Sequence, residues 1–423
     1  MSATHAASQA TPAPMAHSLS PIASLPKEAW KFTNLPRAVA ALQCTALCTT
    51  IGCLEAALPV VSGPQMVFHN GELAPQLSGS AHLAIGVTLS TDVETLNATP
   101  VLDALDELPS TASNHHTITV SGHVHLPLHL IHVASGEPST SRFTVNVASG
   151  ADLTLIEHQV AAPHFTTWQN LSVVINLAPG AKLTHSVQQT LPPTCILTRR
   201  THVNVADGAT YSATTFQQGA SLSRIETHAT LGTATNFSHI GLSLARRSQH
   251  HANLLHVNHQ GEGNETHIRQ RNLIDDSAHS VFQGKFYVAQ AAQKTNAYMH
   301  CHNLLLADTA RTSHKPELEI YADDVKCSHG AATGGLHPQQ LFYLQARGFT
   351  PTAARALLTV GFAEEFIAEF PEAIASTLTK GLQNWLADHV DTEDPTPDFG
   401  MAPITRDTAN TYARLTDDDT ADE

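Results

Sequence analysis

The chain has 423 residues, with 22 Lys and Arg against 37 Asp and Glu, for a formal net charge of −15. That balance argues against a nucleic-acid or anionic-membrane surface, because such binding rests on clustered Lys and Arg. The length is enough for a large core and about two or three domains. Histidine, at 28 residues, outnumbers Lys and Arg together, but it is scattered and not gathered in one short metal-binding tract.

In chain order, residues 1–20 are mostly Ala, Ser, Thr and Pro, which predicts a disordered N-terminus. They lack the basic n-region and apolar h-region of a secretory signal. From Ile22 to about Pro64, Ala, Leu and Val recur at mixed spacings of three and four, which predicts an N-terminal helical region over 21–80. Cys44 and Cys48 would share a face of it and Cys53 would lie off that face. Burial as small residues and a metal site both fit this spacing, and burial is the ordinary state of a free cysteine. The most apolar stretch, AVAALQCTALCTTIGCLEAALPVV, is interrupted by Gln43, Gly52 and Glu55. A bilayer span needs about 20 near-continuous apolar residues. The six cysteines, Cys44, Cys48, Cys53, Cys195, Cys301 and Cys327, contain no CxxC, so neither a zinc ribbon nor a thioredoxin-type site is indicated. The expectation is a soluble, cytoplasmic protein with reduced thiols.

The middle of the chain changes period. HTITVSGHVHLPLHLIHVAS alternates every second residue, as a strand does, and similar runs continue to about residue 330. The strands also repeat: VNVASGA starts at Val145, INLAPGA at Ile175 and VNVADGA at Val203. A recurring strand with a tight glycine corner predicts a β-solenoid over 81–330, in which each coil buries its apolar face against its neighbours. Gly150, Gly180 and Gly208 would supply the corner. A β-sandwich is the alternative, since hairpin folds also carry regular turn signals.

After Gly330 the pattern turns helical. Pro338 at a first turn and Gly348 as a stop bound one helix. A second starts at Thr350–Pro351 and is broken at Pro371, and EAIASTLTKGLQNWLADHV gives a third. Leu357, Leu358, Phe362 and Phe366 recur at helical spacing, so 331–390 reads as a small amphipathic helical domain. The acidic tail, 391–423, ends DDDTADE and reads as disordered.

The motif with the most chemistry is DDVKCSHGA, Asp323 to Ala331. Cys327 and His329 stand two apart and would face one side of the last strand, at an end of the solenoid. Such an end has unpaired backbone groups that must be capped or joined to another chain. Two ligands cannot close a tetrahedral metal site. The pair therefore reads either as core or as part of a site completed from elsewhere, with thiolate and imidazole suited to iron, zinc or an iron–sulfur cluster. There is no P-loop, so the chain does not hold ATP in one, and neither G-x-S-x-G nor H-E-x-x-H occurs. The stretch with Arg246, Arg247, His250, His251, His256, His259 and His267 reads as a solvated polar ladder on stacked strands, with a ligand cluster as the alternative.

LEIYADDVKCSHGA followed by LFYLQARG, together with VFQGKFYVAQAAQKT, VFHNGELAPQLS and EAWKFTNL, resembles the SufD branch of the SufB/SufD scaffold family of the SUF iron–sulfur assembly system. The resemblance runs roughly from Trp30 to Ile367. It lacks the Cys-Asp dipeptide and the Glu-flanked His that would mark SufB, and Ala332–Thr333 depart mildly from the family pattern. The resemblance implies a right-handed parallel β-helix flanked by an N-terminal helical region and a C-terminal helical domain. It also implies a non-catalytic scaffold that pairs with a SufB-like chain and is served by a SufC-like ATPase. On that reading His329 offers its imidazole to a transient iron–sulfur cluster shared with a cysteine of the SufB-like partner, and Cys327 either assists as a second metal ligand or is buried. Neither the residues nor the resemblance assigns a flavin. The helical domain is expected to dock the ATPase through Phe362, Glu364, Glu365 and Phe366, with burial of Phe362 and Phe366 as core residues an equal alternative. Two other functions compete: a carbohydrate-acting β-helix enzyme, which would need carboxylates or a basic residue converging on one face, and an interaction-only solenoid.

Overall fold

The computed structural model describes residues 22, 25–44, 50–78, 86–92, 105–106, 108, 115–162 and 164–387. The expected disordered N-terminus and acidic tail lie outside these residues, as does Cys48.

Alternation along the middle of the chain produces strands β1 (Gln65–His69), β2 (Glu72–Leu73), β3 (Val87–Asp92), β4 (His115–Val120), β5 (Leu128–Ala134) and β6 (Ser139–Val147). They continue as β7 (Asp152–Ala161), β8 (Trp168–Leu177), β9 (Lys182–Gln189), β10 (Ile196–Val205), β11 (Thr210–Gln218), β12 (Leu222–Leu231) and β13 (Asn236–Ala245). The last are β14 (His250–His259), β15 (Glu265–Ile274), β16 (His279–Val288), β17 (Asn296–Leu305), β18 (Arg311–Ile320) and β19 (Lys326–Gly334). Successive strands from β4 onward fall in opposite sheets. One sheet has ten strands in the order β19-β17-β15-β13-β11-β9-β7-β5-β1-β2, and the other has nine in the order β18-β16-β14-β12-β10-β8-β6-β4-β3. Only the β1–β2 and β3–β4 pairings are antiparallel among these strands. The result is the β-solenoid read from the repeats, not a sandwich of hairpins. Its first sheet already includes β1, ahead of residue 81, through parallel pairing with β5.

The heptapeptide repeat is one row of this solenoid. Val145, Ile175 and Val203 are register partners, all buried in the core between the sheets. Their glycines have φ of 68°, 71° and 67° at Gly150, Gly180 and Gly208, the left-handed corner that a side chain resists. The asparagines of the repeat face outward and form a ladder: Asn176 donates to Asn146 at 2.9 Å, and Asn204 donates to Asn176 at 2.8 Å.

Helices flank the solenoid. At the N-terminus, however, the helix expected from Ile22 to Pro64 is reduced to α1 (Leu35–Ala40) and α2 (Ile51–Glu55), with turns and irregular chain between the described parts. Pro26, Pro59 and Pro64 cannot donate in a helix interior, so they cut the region short, whereas Pro36 sits in the first turn of α1, where no donor is needed. Cys44 sits in irregular chain instead of on a helical face. The part up to α1 covers the outer side of the nine-stranded sheet, where Ile22, Trp30, Leu35 and Val39 pack with Trp168, Ile196 and Leu222, while Leu54 of α2 packs on Val67, Ile131 and Val160 of the ten-stranded sheet. The C-terminal helices are α3 (Pro338–Ala346), α4 (Pro351–Ile367) and α5 (Glu372–Ala387). Thr350 caps α4, its hydroxyl accepting from the Ala353 N–H at 3.2 Å, and Gly348 takes φ of 95° after α3. Helices α4 and α5 lie on the outer face of the ten-stranded sheet, with Val360, Ile367, Leu378 and Trp385 against Phe216, Leu242 and Leu273.

Near the C-terminal end of the core, Gly284 admits the Met299 side chain between the sheets. A Cβ at this position would meet Met299 Sδ at 2.1 Å. Met299 is fully buried, so Gly284→Ala is expected to overpack the last coils and cost about 1–3 kcal/mol, read as a lower urea midpoint at unchanged slope.

Candidate functional site

Among the described residues, the last two strands end the solenoid without a cap. β19 pairs only with β17, and β18 only with β16, so each leaves one backbone edge open. Parallel register fixes where their side chains point, since partners on neighbouring strands share a face. Cys327 is aligned with Ala297, His329 with Met299 and Ala331 with Cys301, and all three partners belong to the interior core. From the other sheet, His314 is aligned with Phe282, Pro316 with Gly284 and Leu318 with Phe286. The motif therefore stands over the open end of the core column, with His329 and His314 exposed, and with Leu318 and Cys327 partly buried against the core. Asp323 and Asp324 form the corner before β19, where the Asp324 N–H donates to Gln293 Oε1 at 2.9 Å and the Asp324 carbonyl accepts from the Lys294 N–H at 2.6 Å.

Cys327 and His329 share the inward face, as their spacing predicts. Their chemical states are set by place. Burial pushes the Cys327 thiol above its ordinary value, and a backbone hydrogen bond at Ala297 only partly opposes that. A protonated thiol is a poor metal ligand. The imidazole of His329 is reachable from solvent. Among the described residues, no group of three or more His, Cys, Asp or Glu side chains is placed to hold a metal ion.

Behind this end the interior turns polar. The Asn272 side-chain amide donates to Asn303 Oδ1 at 2.7 Å, and Asn303 donates to the Thr333 hydroxyl of β19 at 3.2 Å. Cys301 lies beside them, its thiol pushed up to about 12 by burial. Deeper in the solenoid, Glu157 is buried with Arg199 Nη2 and His185 Nε2, each 2.8 Å from Oε1, and with His132 Nε2 3.4 Å from Oε2. Tyr211 completes the row at 2.8 Å from His185 Nδ1. This network was missed in the sequence. The one available signal is that Glu157 occupies an inward position of DLTLIEHQVA, in phase with Leu153 and Leu155.

Two expectations about other residues need correction. The histidine stretch is only partly a solvated ladder: His267 is exposed and stacks on its register partner Tyr298, whereas His251 and His259 are buried. His251 is held by Ser243 Oγ at 2.8 Å and the Gly219 carbonyl at 2.6 Å, and His259 by Thr266 Oγ1 at 2.9 Å and the Tyr287 carbonyl at 3.1 Å. His259 and His267 lie in different sheets. The second concerns α4, where the core alternative for Phe362 and Phe366 holds. Phe366 is buried and Phe362 partly so, with the Arg271 guanidinium 4.3 Å and 4.9 Å from their rings. Arg271 also pairs with Glu365, and Arg269 with Glu369. Glu364 is half-buried, and its carboxyl is raised to about 7 by that burial. These side chains lock the helical domain onto the sheet, because the apolar stripe of α4 finds its partner within the chain. The exposed aromatics lie elsewhere: Phe342 at 73%, Tyr343 at 55% and Phe349 at 44%, on and after α3.

The family described as "SUF system FeS cluster assembly, SufBD core domain" matches residues 130–362. The chain is 28% identical over 380 residues to the iron-sulfur cluster assembly SufBD family protein slr0076 of Synechocystis, covering 82% of this chain and 83% of that protein. It is 32% identical over 249 residues to iron-sulfur cluster assembly protein SufD of Escherichia coli, covering 56% and 58% of the two. Protein ABCI7, chloroplastic, of Arabidopsis thaliana is 32% identical over 238 residues, covering 55% of this chain and 50% of that protein.

Proposed function

Because the chain belongs to the SufBD family of the SUF iron–sulfur cluster assembly system, we propose that it is a non-catalytic scaffold subunit whose open solenoid end joins a SufB-like chain around a nascent cluster. The observation that carries this reading is the terminal coil. Among the described residues, it combines two unpaired strand edges, an uncapped apolar column and a solvent-facing imidazole at His329. Strand edges of this kind are templates for pairing with another chain. A related solenoid would continue both sheets, cover Leu318 and Cys327, and bring its own ligands to the one this chain offers. The cluster is cargo held between the two subunits. Cys327 stays a second candidate ligand, with burial under the partner as its first role. Co-expression with the SufB-like chain, followed by anaerobic loading with ferrous iron and sulfide, tests the proposal. A stable heterodimer that develops visible cluster absorption is expected. A chain that stays monomeric beside its partner would overturn it.

The C-terminal helices supply the contact to a SufC-like ATPase, which accords with the missing P-loop. The surface is α3 instead of α4, since Phe342 and Tyr343 are the exposed aromatic anchors and such residues dominate interface energies. Replacing both by aspartate is expected to abolish co-purification of the ATPase. The thermal midpoint of the isolated chain should stay nearly unchanged, because no residue of α3 is buried. Full retention of the ATPase by this variant would exclude α3 as the dock.

A further inference from the structure

Far from the open end, at the entry to β5, the chain reads Gly122-His123-Val124-His125. Here two exposed imidazoles meet, with ring centroids 4.6 Å apart and planes at 79°. His123 Nδ1 lies 3.3 Å from Asp152 Oδ2, and both side chains are open to solvent, at 58% and 40% exposure. We propose that His123 and His125 chelate one divalent transition-metal ion at this surface, with Asp152 orienting His123.

Two features support it. The backbone under the site is fixed: the Val124 N–H donates to the Asp152 carbonyl at 2.9 Å, the Asp152 N–H donates to the Gly122 carbonyl at 3.1 Å, and Val124 is buried between the two histidines. The two imidazoles are thus presented side by side on a rigid corner, and little ordering remains to be done on binding. The Asp152 carboxylate beside Nδ1 favours the tautomer with its proton on Nδ1 and the lone pair on Nε2. That is the carboxylate–histidine–metal arrangement found around bound metals. Within the chain the site stops at two ligands, since no third among the described residues closes it. The remaining positions would belong to water, and ions of the series from iron(II) to zinc(II) suit such an imidazole pair.

The site is separate from the motif at His329. From β7, which carries Asp152, to β19 there are six strand spacings of about 4.8 Å, or roughly 29 Å. A second exposed pair, His300 and His302 on β17, has the same spacing and serves as an internal control. There the nearby carboxylate, Glu365, is already engaged by Arg271, whose cation lowers the proton affinity of His302 after burial has done so.

Calorimetric titration of the full chain with Zn²⁺ alone decides the matter. The tightest class of sites should hold one equivalent. His123→Ala/His125→Ala should remove that class, and Asp152→Asn should weaken it by about 10–100-fold. His300→Ala/His302→Ala should leave it in place. If the first double variant keeps the tightest class at wild-type affinity, or if both double variants lose it equally, the proposed site is wrong and zinc binds surface histidines without distinction.

Discussion

Arg199→Met is expected to destabilise the isolated chain by about 3–5 kcal/mol, because it leaves a buried carboxylate without its cation. Glu157 and Arg199 each have 1% side-chain exposure, and Arg199 Nη2 lies 2.8 Å from Glu157 Oε1. Burial by itself would raise the Glu157 carboxyl. The Arg199 charge and the contacts with His132 and His185 outweigh it and hold the group well below its ordinary value. His185 is itself held neutral by burial, so it cannot replace the guanidinium without a further desolvation cost. Methionine keeps much of the volume of arginine, so the loss measured is that of charge and hydrogen bonds. The double variant Glu157→Leu/Arg199→Met should regain most of the lost stability, since a buried pair replaced by apolar residues is often nearly neutral. Urea unfolding of the four proteins in this cycle checks both statements. A single-variant loss below about 1 kcal/mol would mean that Glu157 is not held as an anion. The acid dependence follows the same sign. A carboxyl depressed on folding contributes stability that is complete above its ordinary value near 4.5 and is lost as the pH falls through its folded value, well below 4.5. In Arg199→Met that acid-side loss should begin at higher pH.

His329→Ala is expected to stop cluster formation on the complex with the SufB-like chain while leaving folding and pairing almost intact. An exposed imidazole on the edge strand contributes little packing, so the stability change should be of order 1 kcal/mol or less. Visible absorption after anaerobic loading should fall sharply, because no second ligand set among the described residues can take over. Cys327→Ser should behave in the opposite way. Its thiol is partly buried against the core, so stability falls while iron is retained. Wild-type cluster formation in His329→Ala together with its loss in Cys327→Ser would exchange the two roles. Wild-type behaviour of both would place the site wholly on the partner.

The features that were legible in the sequence are those made by neighbours in the chain. Alternation produced the strands, and the left-handed glycines after Val147, Leu177 and Val205 marked one corner of the coil. Pro338, Gly348, Thr350 and Pro351 bounded the helices where they are found. The placement of Cys327 and His329 together on the terminal strand also followed from their spacing, because side-chain direction in a strand has period two.

Tertiary structure decided which of the two faces is covered. Alternation shows that Phe216 and Tyr211 belong to different sets by position, yet both are buried, one under α5 and one between the sheets. The same blindness hid the fate of His251 and His259, and of Phe362 and Phe366, whose partners arrive from other coils and other elements. Glu157, His185 and Arg199 meet only because the solenoid stacks residues about one coil apart into one layer. The sequence by itself determined the solenoid, its corners, its C-terminal helices and its terminal strand. Only the folded chain decided which polar residues are buried, which aromatic face is left exposed, and that no described residue covers the last coil. Those outcomes depend on packing between segments distant in sequence, and period-two or period-3.6 patterns carry no information about which segment covers a given face.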